Sequence, residues 1–134
     1  MIVPHLWYAD NNAREAMEYY CLVFPDAKIL SLELYPDERL DPHFAGMSGK
    51  VLAGVFELMG QRFMAIDGGP AFRFNEAISL LVECENQAEI DFYWQKLSHR
   101  KEHEQCGWCK DRFGLSWQVV PRDMGNLLTN GKAI

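Results

Sequence analysis

Two cysteines, Cys106 and Cys109, form the most recognisable reactive pattern of the sequence, a C-x-x-C. Such a pair acts as a redox centre where it opens a helix, because the helix dipole lowers the pKa of the thiol. It binds zinc where a second ligand pair lies at short spacing. Here a turn follows Cys109 directly, and the sequence has no second ligand pair at such a spacing. The context therefore favours an incidental pair over a redox or zinc site.

The stretch over residues 106–121 predicts a strand, a turn and a second strand. Gly114 belongs to the turn because glycine adopts positive φ without strain, and Pro121 ends the pairing because it has no backbone N–H. Alternation along the second strand places Ser116 and Gln118 on the same face. Gln118 is then either an ordinary polar group of the sheet surface or part of a binding site on that face.

Composition and charge exclude several classes of function. The chain has 134 residues, of which 49% are hydrophobic, so one domain can bury a core without disulfides. The net charge of -6 argues against nucleic acid and anionic membrane surfaces, since both require clustered Lys and Arg. No apolar run reaches the roughly 18 residues of a membrane helix, and the N-terminus lacks the pattern of a signal peptide. We therefore expect a cytoplasmic protein without nucleic-acid or membrane partners.

The first half of the chain predicts one helix and four strands. Asn11 or Asn12 caps the helix, which covers residues 13–24 and has an apolar stripe at helical spacing. A long polar loop over residues 36–50 is of a kind that often forms a lid or a binding loop. The expected strands cover residues 2–8, 27–35, 51–58 and 62–67.

The second half repeats this order of elements. A strand over residues 77–84 precedes a helix that Asn86 caps and that ends at Leu97. A charged loop and the hairpin over residues 106–121 follow, and residues 123–129 predict a short final helix.

This repeat predicts an α+β fold with two βαβββ modules, each a curved, mixed, four-stranded sheet backed by one helix. We place the modules at about 1–70 and 77–134 of a single domain over residues 1–134. In the second module Ile78, Leu80 and Val82 form an apolar face suited to the helix. The opposite face carries the polar Ser79 and Gln118, as a ligand cleft shared by the two modules would require.

Short motifs spread over nearly the whole chain match one known family. They are His5-Leu6-Trp7-Tyr8, Asn12, Glu15-Ala16, Tyr20, Phe24-Pro25, Phe56-Glu57-Leu58, Gly60-Gln61, Gly68-Gly69-Pro70, Phe74-Asn75-Glu76, Ser79, Tyr93-Trp94, Cys106-Gly107-Trp108, Asp111, Phe113-Gly114, Ser116-Trp117-Gln118 and Pro121. With them the sequence resembles the PhnB-like proteins, often labelled 3-demethylubiquinone-9 3-methyltransferase domain proteins. This branch belongs to the vicinal oxygen chelate superfamily of glyoxalase I, bleomycin-resistance proteins and extradiol dioxygenases.

The resemblance implies four candidate metal-ligand positions on one concave face. They fall on His5, on Ser79, on Gln118, and on the strand over residues 62–67, which ends at Asp67. A first-row divalent metal prefers imidazole and carboxylate ligands, whereas this set offers one imidazole, one amide and one hydroxyl unless Asp67 turns inward. We therefore expect no tightly bound metal; if a divalent ion binds, the candidates are His5, Gln118 and Asp67.

We expect a small-molecule binding protein that requires no cofactor and forms a homodimer, as superfamily members usually do. The predicted ligand pocket combines aromatic or apolar walls with a few polar groups: His5, Trp7, Phe56, Met64, Ser79, Trp108 and Gln118. True S-adenosylmethionine methyltransferase activity is not expected, because Gly68-Gly69-Pro70 leads into a loop and a strand and not into a helix. The alternative is a metal-dependent glyoxalase- or dioxygenase-like enzyme that uses His5 and Gln118 as ligands. The sequence assigns no catalytic residue.

Overall fold

The computed structural model describes residues 1–123, so the final helix predicted from residue 123 to 129 lies outside the described residues but for Asp123. The chain divides into two compact units, Met1–Arg73 and the part from Phe74 onward. The described part contains two helices and two mixed sheets, which confirms the predicted α+β class. A single domain over residues 1–134 stays a prediction.

Unit 1 has the predicted βαβββ order. Its elements are β1 (His5–Tyr8), α1 (Ala13–Val23), β2 (Lys28–Leu34), β3 (Val51–Leu58) and β4 (Gln61–Asp67), with a 3-10 turn at Pro42–Phe44 in the long loop. The strands lie in the order β1-β4-β3-β2, and β1 runs parallel to β4 while the other pairs are antiparallel. A β-bulge interrupts the pairing of β2 with β3 between Ile29 and Ser31.

Helix α1 packs on one face of this sheet. Its apolar positions recur every three to four residues and are buried: Ala13, Ala16, Met17, Tyr20 and Val23. Facing them, Phe56 and Phe63 stack on each other with ring centroids 5.4 Å apart. Gly54 makes the close approach possible, because a Cβ at this position would lie 2.6 Å from the Met17 sulfur. In the part of the chain that the structure describes, no helix packs on the opposite face of the sheet, and we call it the helix-free face of unit 1.

The Asp67 carboxylate joins three elements of unit 1. Oδ1 accepts a hydrogen bond from the Ala13 N–H at 2.9 Å, and Oδ2 accepts one from the Val51 N–H at 2.8 Å. Asp67 is only 2% exposed, and its backbone carbonyl accepts the Tyr35 hydroxyl at 2.9 Å. Because hydrogen bonds to a buried charged group are strong, this side chain holds the start of α1 and the start of β3 to the end of β4.

Unit 2 has three strands among the described residues, not the four predicted. Its elements are β5 (Leu80–Cys84), α2 (Gln87–Leu97), β6 (Trp108–Lys110) and β7 (Ser116–Pro121), in the sheet order β5-β7-β6. Residues 98–107 form turns and a 3-10 segment at Lys101–His103. This stretch is polar, with four charged residues, and lacks the alternating apolar side chains that a half-buried strand needs, which explains the missing strand.

The strands of unit 2 alternate as predicted. Val82, Cys84, Trp117 and Val119 are buried on the face that packs on α2, and the Asn86 side chain caps α2 by accepting the Glu89 N–H at 2.9 Å. No helix among the described residues packs on the other face, and we call it the helix-free face of unit 2.

Ile78 corrects part of the predicted apolar face. It is 75% exposed, because β5 begins only at Leu80. The strand is thus three residues shorter at its start than the sequence pattern predicts. No helix within residues 1–123 is both long and apolar enough to cross a membrane.

We predict that Asp67→Asn lowers the free energy of unfolding by about 2–4 kcal/mol. The neutral amide keeps one acceptor but turns an N–H group toward one of the two backbone N–H donors. Urea denaturation measures the change. The control is Asp10→Asn, because Asp10 forms only an exposed ion pair with Arg73 at 3.2 Å and should change stability by less than about 0.5 kcal/mol. Equal effects of the two substitutions would contradict the bridging role of Asp67.

Candidate functional site

Three of the predicted pocket residues lie together on the helix-free face of unit 1. His5 and Trp7 alternate with the buried Leu6 and Tyr8 along β1. Met64 is the register partner of His5 across the parallel β1–β4 pair, so the two side chains are neighbours on one face. His5 is exposed and Trp7 is half-buried. An imidazole, a thioether and an indole are therefore placed side by side on this face.

The Gly68-Gly69 pair positions the Trp7 indole. Trp7 Nε1 donates a hydrogen bond to the Gly69 carbonyl at 2.9 Å, and the indole ring lies so close to Gly68 that a Cβ there would be 2.1 Å from a ring carbon. Phe72 completes this arrangement with an edge-on contact at 5.0 Å between ring centroids. The glycine pair therefore has a local structural role as the support of a tryptophan on the helix-free face.

The remaining polar residues of the predicted pocket lie together in unit 2. Gln118 Nε2 donates a hydrogen bond to Ser79 Oγ at 2.9 Å. Trp108 is the register partner of Gln118 in the antiparallel β6–β7 pair, so it lies beside the amide on the same face. All three side chains are half-buried. The sequence-based prediction that Ser79 and Gln118 share a face agrees with this hydrogen bond.

Two predicted residues are placed elsewhere, which corrects the sequence-based assignment. Phe56 is 0% exposed and stacks on Tyr20 at 6.4 Å between ring centroids, so it belongs to the core between α1 and the sheet and not to a pocket on the helix-free face. Asp67 points into the same core, where backbone N–H groups occupy both of its carboxylate oxygens. It is therefore removed from the candidate metal ligands.

Cys109, the second cysteine of the C-x-x-C, has the properties of an inert thiol. Cys109 is buried, and its burial, with smaller contributions from the negative charges of Asp111 and Glu104, raises its pKa to about 12. It therefore stays protonated at neutral pH and is a poor nucleophile. Cys106 is exposed and not bonded to Cys109. These features support the incidental interpretation of the C-x-x-C.

A cavity of about 480 Å³ in unit 2 was not predicted from the sequence. Its lining comprises strand residues, Glu76 and part of the turn before β6: Trp108, Cys109, Lys110, Ser116, Glu76, Glu102, His103, Gln105 and Cys106. Lys110 Nζ binds Glu76 Oε2 at 2.7 Å at this cavity, and the hydrogen bond from Lys110 lowers the pKa of the Glu76 carboxyl. Strand alternation had already placed Ser116 beside Gln118, but no sequence pattern indicated a cavity there.

The donor groups on these faces are few and mostly uncharged. Within residues 1–123, no group of three or more His, Cys, Asp or Glu side chains is arranged to hold a metal ion. His5 is the one imidazole among the predicted ligand positions, and Ser79 and Gln118 are already bonded to each other.

A family model described as 3-demethylubiquinone-9 3-methyltransferase matches residues 1–120. The chain belongs to this family. The family is part of the glyoxalase, or vicinal oxygen chelate, superfamily, as the sequence motifs had indicated. Comparison with curated proteins finds no match.

Solved structures agree with this family assignment. The PhnB protein from Bacillus cereus is 32% identical, with a TM-score of 0.72, over 89% of this chain and 98% of its own. Two further structures support the fold alone. Protein PA1353 from Pseudomonas aeruginosa is 23% identical with a TM-score of 0.61, over 90% of this chain and 97% of its own. A gene product from Arabidopsis thaliana is 17% identical with a TM-score of 0.55, over 89% of this chain and 96% of its own.

We predict that Gly68→Ala displaces the Trp7 indole, because the new methyl group would overlap the ring. The overlap should lower the free energy of unfolding by about 1–3 kcal/mol, as overpacking does. The Trp7 indole N–H resonance, which reports the hydrogen bond to Gly69, should move markedly. Gly69→Ala is the control: its φ of +80° strains the backbone, but nothing lies within 4 Å of the new Cβ. A Trp7 resonance that moves equally in both variants would show that contact with Gly68 does not position the ring.

Proposed function

We propose that this chain is a PhnB-like protein of the vicinal oxygen chelate superfamily that binds a small organic molecule on the helix-free faces of its sheets. The observation that supports this most is the hydrogen bond between Gln118 and Ser79 beside Trp108. A few oriented polar groups next to an aromatic wall are typical of small-molecule sites. His5, Trp7 and Met64 supply a comparable combination in unit 1.

We further propose that binding requires no tightly bound metal. A divalent ion of the first transition row needs anionic or imidazole ligands to balance its charge. Asp67 is committed to two backbone N–H groups, so the predicted positions retain one imidazole, one amide and one hydroxyl. Such a set balances little of a 2+ charge. The alternative, a metal-dependent glyoxalase- or dioxygenase-like enzyme with His5 and Gln118 as ligands, would need a carboxylate from elsewhere.

We also propose that the family's name does not describe an S-adenosylmethionine-dependent reaction of this chain. The common class of these methyltransferases binds its cofactor at a glycine-rich loop between a parallel strand and a helix. In this chain Gly68 and Gly69 support Trp7 instead, and the next regular element is the strand β5.

These proposals predict the outcome of a binding screen on the purified protein. Elemental analysis should find much less than one metal per chain. Zn²⁺, Ni²⁺ and Mn²⁺ should not raise the melting temperature, because a ligand stabilises a protein only by binding its native state. S-adenosylmethionine should give no heat of binding at micromolar concentration. Members of a library of small oxygenated aromatic molecules should shift the indole resonance of Trp108 or Trp7. Gln118→Ala should weaken the binding of those members that shift the Trp108 resonance.

The control variant is Gln95→Ala, which removes an exposed amide from α2 and should leave binding unchanged. A metal that raises the melting temperature by several degrees, and no longer does so in His5→Ala, would establish the metal-dependent alternative. A library that shifts no resonance of either helix-free face would overturn the proposal of a small-molecule site.

We propose a homodimer as the assembly. β5 is an edge strand, and its side chain Leu81 is 52% exposed on the helix-free face. Exposed apolar edges of sheets favour pairing with another chain. Superfamily members commonly dimerise, and most symmetric assemblies are dimers with two-fold symmetry.

Sedimentation equilibrium should therefore give twice the 15.5 kDa mass of the chain. Leu81→Lys should shift the mass toward that of the monomer, because the charge would have to be buried at the edge of β5. Leu40→Lys is the control, since Leu40 is the same residue type and is more exposed, at 83%, but lies in the long loop. A wild-type mass of 15.5 kDa at micromolar concentration would exclude a stable dimer.

A further inference from the structure

The cavity in unit 2 contains a buried polar group without a partner. Ser116 is 1% exposed, and its Oγ makes no hydrogen bond within the described residues. Burial of a hydroxyl without a hydrogen bond is unfavourable, and the large majority of buried polar side-chain atoms in folded proteins have a partner. Because Ser116 lines the cavity, the missing partner can be supplied by a molecule that occupies it.

We propose that this cavity binds a small, uncharged, planar molecule whose carbonyl oxygen accepts a hydrogen bond from Ser116 Oγ. The inference rests on the proposed function, because the cavity lies on the same helix-free face as Gln118 and Trp108. The inference specifies which ligand atom is recognised, a carbonyl oxygen bonded by Ser116 Oγ, and that the ligand is uncharged.

The strand register places the recognition groups next to each other. Ser116 is directly opposite Lys110 in the β6–β7 pair, so their Cβ atoms are about 5 Å apart on one face. Trp108 is opposite Gln118, and this pair lies two residues away from the Lys110–Ser116 pair. Trp108 is therefore a diagonal neighbour of Ser116. A hydroxyl donor and an indole surface therefore lie within the span of one small aromatic molecule, and the volume of about 480 Å³ is within the range of ligand sites.

The charges around the cavity select against ions. The Lys110 ammonium group is already bound to the Glu76 carboxylate at 2.7 Å. Glu102, which forms an ion pair with Arg100 at 3.7 Å, adds a second carboxylate to a lining that also contains His103. An anion would meet two carboxylates and a lysine that is already neutralised, whereas a cation would have to displace Lys110 from its partner. A neutral acceptor can use the Ser116 hydroxyl without disturbing the ion pair, and its ring can lie on Trp108.

Three probes of nearly the same shape test the charge class: benzamide is neutral, benzoate is an anion and benzamidinium is a cation. Each is titrated into the full ¹⁵N-labelled chain at millimolar concentration, and the indole resonance of Trp108 is followed after assignment with Trp108→Phe. Benzamide should shift this resonance with the highest affinity of the three. Tighter binding of benzoate or of benzamidinium there would overturn the assignment of a neutral ligand.

Ser116→Ala tests the recognised atom. It should weaken benzamide binding about five- to tenfold, which corresponds to the loss of one hydrogen bond. The melting temperature should not fall, because this hydroxyl makes no hydrogen bond that the substitution could remove. Ser31→Ala, a substitution on the exposed strand β2, should change neither quantity.

The remaining outcomes separate this inference from the proposed function. Benzamide binding that Ser116→Ala does not weaken, or a melting temperature that falls by several degrees in that variant, would overturn the role of Ser116. The absence of any benzamide shift at Trp108 would do the same. In each case the proposed small-molecule function would still stand if library members shift Trp7, or shift Trp108 in a manner sensitive to Gln118→Ala, and it would fall if none does.

Discussion

Within residues 1–123, each sheet packs against one helix, and one helix covers only one face of a sheet. Because successive side chains of a strand point to opposite faces, a strand turns one set of side chains toward the helix and the other set toward the helix-free face. In β4, Phe63 and Ala65 enter the core while Met64 does not; in β7, Trp117 enters the core while Gln118 does not. The strand residues of the candidate site, such as Met64 and Gln118, follow from this division because they lie on the helix-free faces.

Two buried aspartates maintain this division. Asp67 connects α1, β3 and β4 in unit 1. Asp111 has the corresponding role in unit 2, where Oδ1 accepts the Leu115 N–H at 3.0 Å and Oδ2 accepts the Trp117 indole N–H at 2.8 Å. It fixes the β6–β7 turn and thereby the register that places Ser116 opposite Lys110. These acidic groups act in folding, so they are not available as metal ligands.

Most of the fold could be predicted from the sequence, because helical periodicity and strand alternation are local. The site was predicted only in part. Phe56 lies in a strand with apolar residues on both faces, so its sequence pattern does not indicate which face is covered, and only the pairing with Phe63 decides it. The role of Asp67 depends on backbone N–H groups of two other elements, and no spacing in the sequence encodes those contacts. The unpartnered hydroxyl of Ser116 is likewise a property of its three-dimensional surroundings.

The family's name suggests methyl transfer, whereas we propose a small-molecule binding function without a tightly bound metal. A methyl donor and a divalent metal each require a dedicated site. A methyl donor requires a glycine-rich turn before a helix, and a divalent metal requires a set of charged ligands. Gly68 and Gly69 could suggest a methyl-donor site, but they support Trp7. Asp67 could complete a metal site, but it is bonded to backbone N–H groups. The helix-free faces carry indoles, a thioether, hydroxyls and an amide together with the His5 imidazole and the Lys110 ammonium group. Because most of these groups recognise shape and hydrogen-bond acceptors, they support our proposal that the faces bind a neutral molecule.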